Sequence, residues 1–184
     1  FNTGDHLLAL CKDGTYYTTS FDLSNRYQGD LLKIEKLDVN KTYTALYYDK
    51  AVGAFYVKRF SFDVSDNTPV SFISDSKGSY LVAISDDKHP QFEITFGGKH
   101  EHREAESVDA EEFIGKKGLQ AKGKKVSAMD VKSVIFVEPL HKPEDDAIPE
   151  ASEAENQAGE IDNTDVVDEP LDLDLPDDPQ LSLF

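Results

Sequence analysis

The sequence predicts an all-β fold that is followed by a disordered acidic tail. In the first 140 positions, short runs of β-branched and aromatic residues alternate with polar residues, and the composition changes abruptly after them. Alternation with a period of two residues is typical of strands that bury one face. A third observation, an internal repeat, indicates how the strands are arranged.

Nine segments carry the strand pattern, and each is bounded by polar or glycine residues. They are residues 7–11, 15–21, 31–37, 42–48, 54–62, 70–74, 79–85, 91–96 and 132–138. Asp13-Gly14 predicts a tight hairpin turn between the first two, because this dipeptide readily adopts the positive φ angles that such turns require. Only residues 108–114 and 128–132 carry a helical pattern, with Ser107 or Asp109 as the N-cap of the first.

Three segments share one pattern, in which an Ala and a Leu or Ile precede an Asp, a short turn and a strand that ends in Phe. They are residues 8–21, 44–60 and 82–96, and their alanines, Ala9, Ala45 and Ala83, lie 36 and 38 residues apart. A hairpin with one or two further strands that repeats at this spacing is typical of propeller-like blades. The alternative is an ordinary β-sandwich that contains three unrelated hairpins.

Composition divides the chain into three parts. Residues 1–98 are assigned to the blades, and residues 99–140 to a polar connector, a basic Gly/Lys segment and a final strand. Residues 141–184 hold 15 of the 36 acidic residues and one of the 19 basic residues. A segment of this composition cannot bury enough apolar surface to offset the loss of chain entropy, so residues 141–184 are predicted to be a disordered tail. The single cysteine, Cys11, fits a reducing compartment, and no apolar run is long enough to span a membrane.

The basic segment is the first candidate site. Its lysines alternate with Gly115, Gly118 and Gly123, and flexible backbone of this kind can follow a phosphate backbone closely while each lysine displaces a counterion. The DNA-binding candidates in it are Lys116, Lys117, Lys122, Lys124 and Lys125. The alternative is a solvated basic turn that balances neighbouring acidic residues.

Lys58 and Arg59 are the second candidate. They are adjacent on a predicted strand and so point to opposite faces, and at least one of the two charges is expected to reach solvent and contact DNA. No catalytic residue is predicted, because no nucleophile lies in an activating context. No metal site is predicted either, since His100 and His102 lack a third ligand at suitable spacing.

Three stretches of the chain resemble the C-terminal region of the A subunit of bacterial type IIA topoisomerases, in particular the topoisomerase IV branch. They are "GTYYTTSFDLSNRY", "ALYYDKAVGAFYVKRFSF" and "EEFIGKKGLQAKGKKVSAMDVKSVIFVEPL". The resemblance implies a β-pinwheel, a propeller-like disc whose positive rim binds and bends duplex DNA. It also implies a parent enzyme with a second A subunit, an ATPase B subunit, and ATP and Mg²⁺ bound on other domains or subunits. None of the tyrosines in this chain is assigned the DNA-cleaving role.

The gyrase branch carries a basic box of the form Gln-Arg-Arg-Gly-Gly-Lys-Gly, which this sequence lacks. That departure favours decatenation and relaxation of DNA over gyrase-like wrapping. The resemblance also implies that the parent enzyme is cytoplasmic and associated with the nucleoid. The acidic tail is expected either to compete with DNA for the basic rim, more weakly as salt rises, or only to aid solubility.

The chain ends in Gln180-Leu181-Ser182-Leu183-Phe184, which resembles the peptide by which bacterial replication proteins dock on the sliding clamp. Gln180, Leu181, Leu183 and Phe184 are the partner-binding candidates, and a chance match of five residues is the alternative. Two functions therefore compete: a DNA-binding accessory domain of a topoisomerase, and a propeller-like protein-interaction module that tethers partners such as the clamp without binding DNA.

Overall fold

The computed structural model describes residues 4–22 and 24–142. Within them the chain forms eleven strands, one short helix and one turn of 3₁₀-helix at Gly98–His100. The strands are β1 (His6–Cys11), β2 (Thr15–Ser20), β3 (Leu31–Lys36), β4 (Tyr43–Asp49), β5 (Ala54–Phe60), β6 (Val70–Ser71), β7 (Tyr80–Ser85), β8 (Gln91–Phe96), β9 (Glu106–Asp109), β10 (Lys124–Lys125) and β11 (Val131–Val137). The helix, α1, spans Ala110–Phe113.

The strands form three antiparallel sheets, so the all-β prediction is confirmed. The first sheet has the order β3-β1-β2-β6, the second β10-β5-β4-β7 and the third β11-β8-β9. This arrangement is a partial β-pinwheel, in which each sheet is one blade. The described residues form three such blades.

A hairpin lies at the centre of the first two sheets. In the first sheet β1 pairs with β2 across Asp13-Gly14, and Gly14 has a φ of +83°, as the sequence predicts. In the second sheet β4 pairs with β5, and Gly53 in the turn between them has a φ of +69°. The two hairpins are in matching register, because Ala9 lies opposite Tyr17 and Ala45 lies opposite Lys58.

The first two sheets each receive their fourth strand from further along the chain. β6 follows the hairpin of the second sheet but pairs with β2 of the first. β10 follows β9 of the third sheet but pairs with β5 of the second. This exchange of short strands ties each of these sheets to the next one along the chain.

The third repeat segment, residues 82–96, is not a hairpin, and that prediction is wrong. β7 pairs with β4 in the second sheet, whereas β8 pairs with β9 and β11 in the third. Residues 86–90 therefore cross between sheets, and the crossing includes Pro90, which cannot donate a backbone hydrogen bond. The repeat marks strands of the correct length but does not specify which strand they pair with.

The region after β8 also differs from the prediction. Residues 99–140 were assigned to a part of the chain that follows the blades, but β9 within them pairs with β8. The helix is limited to α1, and Asp109 caps it by accepting a hydrogen bond from the Glu111 amide at 2.8 Å. Residues 128–132 do not form a helix, and β11 begins at Val131.

Two cores lie between the sheets. The core between the first and second sheets is rich in aromatic side chains, and Phe62 at its centre contacts the rings of Tyr16, Tyr43, Phe60 and Phe72. The core between the second and third sheets is more aliphatic and contains Leu46, Phe55, Val57, Phe92, Ile94, Phe96, Ala110, Ile114, Val126 and Val134. Both faces of the second sheet are therefore buried, one against each neighbour.

The predicted tail begins at residue 141, and only His141 and Lys142 of it belong to the described residues. Lys142 is held by Asp109 and Glu111, with its Nζ at 3.1 Å and 2.9 Å from their carboxylate oxygens. No helix in residues 4–22 and 24–142 is long and apolar enough to cross a membrane.

Candidate nucleic-acid interface

The basic segment, residues 116–125, lies along the outer edge of the second sheet. Lys124 and Lys125 form β10 and lie opposite Val57 and Tyr56 of β5. The Lys117 amide extends the pairing by donating to the Arg59 carbonyl at 2.8 Å. The sequence placed this segment after the last blade, and that placement is wrong, because the segment supplies the fourth strand of the second blade.

Gly123 allows the segment to approach β5 this closely. Its φ is +89°, and a Cβ atom there would collide with the Val57 carbonyl oxygen and the Lys58 side chain. Gly115 and Gly118 differ, since a Cβ atom at either would meet nothing within 4 Å. Only Gly123 is therefore required by the close contact between the two strands.

Three of the five lysines project into solvent. Lys116, Lys117 and Lys125 are exposed, and they form no ion pair with any residue that the structure describes. The sequence contains no acidic residue between Glu112 and Asp130. The edge therefore carries a local positive charge, although the chain as a whole has a net charge of −17.

The other two lysines are held against the sheet. The Lys122 ammonium lies 2.7 Å from the buried carboxylate of Asp49 and 4.8 Å from the centre of the Tyr56 ring. The hydrogen bond to Asp49 raises the pKa of Lys122. Lys124 donates to the Phe113 carbonyl at 3.1 Å and lies over the Phe113 ring. Both lysines are part of the basic edge, but their positions are fixed by neighbouring groups.

Lys58 is buried, contrary to the expectation that it would contact DNA. Its exposure is 3%, and its ammonium donates to the Phe72 carbonyl at 2.8 Å and to the Leu119 carbonyl at 2.6 Å. Desolvation lowers its pKa to about 8. The side chain lies on the face of β5 that packs against the first sheet, so it is almost completely removed from solvent.

Arg59 points to the opposite face, as predicted, but this face packs against the third sheet. Its guanidinium lies 2.9 Å from Glu111, which also contacts His89 at 2.6 Å and Lys142. Burial would raise the pKa of Glu111, but hydrogen bonds from His89 and Lys142 and the charge of Arg59 outweigh it and lower the pKa to about 2. The expectation that Lys58 or Arg59 presents a charge to solvent is therefore wrong.

The sequence reasoning missed two residues that shape the basic edge. The Tyr47 hydroxyl donates to the Lys122 carbonyl at 2.5 Å, and Asp49 binds the ammonium of the same residue. Both lie in "LYYDK", where the only signal was strand alternation followed by a turn. Their role depends on a segment about 75 residues further along the chain, which local patterns do not reveal.

Several lysines elsewhere on the surface are neutralised by carboxylates. The ammonium of Lys33 lies 3.1 Å from Glu35 and 2.8 Å from Asp86, and Lys41 contacts the same two carboxylates. Lys36 lies 2.8 Å from Asp5. The basic edge differs from these sites because its lysines have few acidic neighbours.

Among the residues that the structure describes, no three His, Cys, Asp or Glu side chains come together as metal ligands. The predicted clamp-binding residues, Gln180, Leu181, Leu183 and Phe184, lie outside the described residues.

Comparison with known protein families decides the family. The profile described as "Topoisomerase C-terminal domain, Bacteroidota" matches residues 1–138. The chain belongs to this family. The resemblance to a topoisomerase C-terminal region is thereby confirmed, and the chain is an accessory domain of a topoisomerase. No curated protein matches the chain.

Proposed function

We propose that this topoisomerase C-terminal domain binds duplex DNA through the basic segment. The observation that carries the proposal is that Lys116, Lys117 and Lys125 are exposed along a sheet edge, form no ion pair within residues 4–22 and 24–142, and have no acidic neighbours in sequence. Lys122 and Lys124 add two cations that ring and hydrogen-bond contacts hold at the same edge. The domain engages DNA so that the parent enzyme can bend it and pass a second duplex.

Binding of this kind is weak and independent of sequence. Phosphate contacts carry no base information, and each one contributes roughly 0.9 to the slope of log affinity against log salt. Three contacts give a slope of roughly 2.7, and five give roughly 4.5. The slope therefore counts the lysines that touch the backbone.

The proposed parent enzyme is a topoisomerase IV-like, ATP-dependent enzyme of the bacterial cytoplasm that decatenates and relaxes DNA. In this proposal DNA cleavage, ATP and Mg²⁺ belong to other domains, to a B subunit and to a second A subunit.

The test measures binding of the full chain to a fluorescent duplex of about 40 base pairs over a range of salt concentrations. The triple variant K116A/K117A/K125A is expected to lower the log–log slope by roughly 2.7. Its control is K12A/K36A/K132A, which removes the same charge from lysines that are paired with Asp30, Asp5 and Glu101. Equal slopes for both triple variants contradict the proposal.

The competing function is that of a protein-interaction module that does not bind DNA. It is favoured if the wild-type chain shows no salt-dependent shift of the duplex. The basic segment then serves only as the fourth strand of the second blade.

We also propose that residues 180–184 bind the bacterial sliding clamp and bring the enzyme to newly replicated DNA. The sequence Gln-Leu-Ser-Leu-Phe supports this, because burying a Leu or Phe side chain contributes about 1.5–3 kcal/mol. Titration of a peptide of residues 171–184 against purified clamp tests it, with the variant L183A/F184A as control. Equal binding of both peptides, or no binding below millimolar concentration, contradicts it.

A further inference from the structure

Lys58 lies where two exchanged segments meet. One of its carbonyl partners, Phe72, directly follows β6, the fourth strand of the first sheet. The other, Leu119, lies in the middle of the basic segment, which forms the fourth strand of the second sheet. A single buried ammonium therefore bridges the two segments that join neighbouring blades.

The internal repeat shows that this position has the same task in the first sheet. Tyr17 lies opposite Ala9 as Lys58 lies opposite Ala45. The Tyr17 hydroxyl donates to the Gln28 carbonyl at 3.1 Å and accepts from the Gln28 amide at 2.8 Å. In both sheets the residue at this position fastens a segment that follows a hairpin.

A lysine is required in the second sheet because two carbonyl groups converge there. An ammonium group offers three donors, whereas a tyrosine hydroxyl offers one. The charge itself is unfavourable, since the site is desolvated. Stability alone does not explain a buried cation here, and a role in shaping the segment does.

The other hydrogen bonds between the basic segment and the second sheet lie on either side of its middle, and Lys58 holds the middle itself. The Lys117 amide donates to Arg59 and the Lys122 carbonyl accepts from Tyr47, so the segment is fixed on either side of Leu119. Beneath this stretch lies a polar cavity of about 210 Å³, lined in part by Ser74 and Asp75. Apart from the packing of the Leu119 side chain against the aromatic core, hydrogen bonding holds the stretch in place.

We infer that Lys58 is a positioning residue that holds the middle of the basic segment against the fourth strand of the first sheet. It thereby sets the spacing between Lys116 and Lys117 on one side and Lys122, Lys124 and Lys125 on the other. Its effect on DNA binding rests on the function proposed above, whereas its effect on the segment does not.

The first experiment begins with the wild-type chain, so it does not depend on whether a variant folds. In a ¹H–¹⁵N spectrum of the full chain at slightly acidic pH, the Lys58 ammonium is expected to give a slowly exchanging signal, because two carbonyls hold it away from water. Exposed lysine ammonium groups exchange too fast to be seen. Absence of such a signal overturns the inference, and its loss in K58M assigns the signal.

The second experiment compares K58M with K50M, which removes one charge from an exposed lysine in the turn of the same hairpin. K58M is expected to speed exchange of the Ala121 amide, which donates to the Gly118 carbonyl, about tenfold, while exchange in β1 and β2 stays unchanged. K50M is expected to change neither. Equal exchange in the two variants overturns the inference.

The third experiment measures DNA affinity and its salt slope for the same pair of variants. Because both lose one charge, long-range electrostatics affects them equally. K58M is expected to bind about threefold more weakly than K50M, with a slope lower by roughly one contact. If the wild-type chain does not bind DNA, the proposed function fails, whereas the exchange data decide the role of Lys58 independently.

Discussion

The two exchanged fourth strands, β6 and β10, have the same structural role but opposite surface chemistry. Each has two residues, each pairs with the second strand of a hairpin, and each is followed by a side chain that enters a core between sheets. Those side chains are Phe72, with an exposure of 1%, and Val126, with an exposure of 4%. The backbone and core therefore require only a short strand and one buried apolar side chain.

The surrounding residues differ. Residues 61–75, which contain β6, include Asp63, Asp66 and Asp75 and no basic residue. The segment that contains β10 has five lysines and no acidic residue. Positive charge is thus confined to one of the two equivalent edges. The comparison shows that the repeat provides the scaffold, whereas function is carried by positions that the scaffold leaves free.

The largest expected effect comes from the buried side chains. F72A is expected to lower the free energy of unfolding by about 3–5 kcal/mol, because a large ring is lost from an aromatic core. V126A is expected to cost about 2 kcal/mol, since fewer atoms are removed. Urea unfolding of the full chain measures both. Equal losses would show that the two strands do not depend on their inserted side chains in this way.

The dependence of folding stability on alkaline pH tests whether Lys58 is buried as a charged group. Its folded-state pKa of about 8 lies below the ordinary 10.5, so the unfolded chain binds the proton more tightly and stability rises as pH increases from 8. Above pH 10 stability falls, because burial raises the pKa of Tyr43 and Tyr47 and only the unfolded chain ionises them there.

The rise is expected to reach about 2 kcal/mol by pH 10, since one pKa unit corresponds to 1.36 kcal/mol. Urea unfolding at several pH values measures it, and K58M serves as the control. A rise of the same size in K58M would exclude Lys58 as its source.

Substitution of a glycine next to β10 is expected to disturb this strand without changing its charge. G123A is expected to destabilise the domain by about 1–3 kcal/mol and to weaken DNA binding, because the positive φ and the contact with Val57 exclude a Cβ atom. G118A is the matched control, since it meets open space, and it is expected to change stability by less than about 0.5 kcal/mol. Thermal unfolding and the duplex assay distinguish them, and similar behaviour of the two variants would contradict the assigned geometry.

The smallest expected effect concerns the acidic residues after the described region. Deletion of residues 144–184, which retains Lys142 and its contacts with Asp109 and Glu111, is expected to raise DNA affinity several-fold at low salt. At high salt the effect should vanish, because counterions screen the charge of the tail. Affinities of the truncated and full chains at several salt concentrations test this. Identical affinities at low salt would assign the tail a solubilising role only.

Local pattern predicts the strands well because alternation and turn residues act over a few positions. Each of the nine predicted strand segments contains a strand, and Asp13-Gly14 forms the expected turn. β9 and β10 were missed, since "ESVD" and "KK" have no strand pattern of their own. These segments are strands because β8 and β5 offer free edges beside them.

The remaining wrong predictions concern which strands pair with each other. The segment of residues 82–96 has the hairpin pattern of its two counterparts, yet β7 pairs with the free edge of β4. The partly buried Leu81 and Ile84 then pack against one core and Val82 against the other. Sequence alternation indicates that a strand has two faces, but it does not indicate which neighbouring strand is available.

The sequence by itself determined the all-β class, the strand positions, the concentration of net negative charge in the C-terminal part and the lysine-rich composition of residues 116–125. Only the tertiary structure decided which lysines reach solvent. Alternation correctly placed Lys58 and Arg59 on opposite faces of β5, but the second sheet lies between two others, so both faces are buried. Exposure depends on what packs against a strand, and that contact is made by residues far away in the chain.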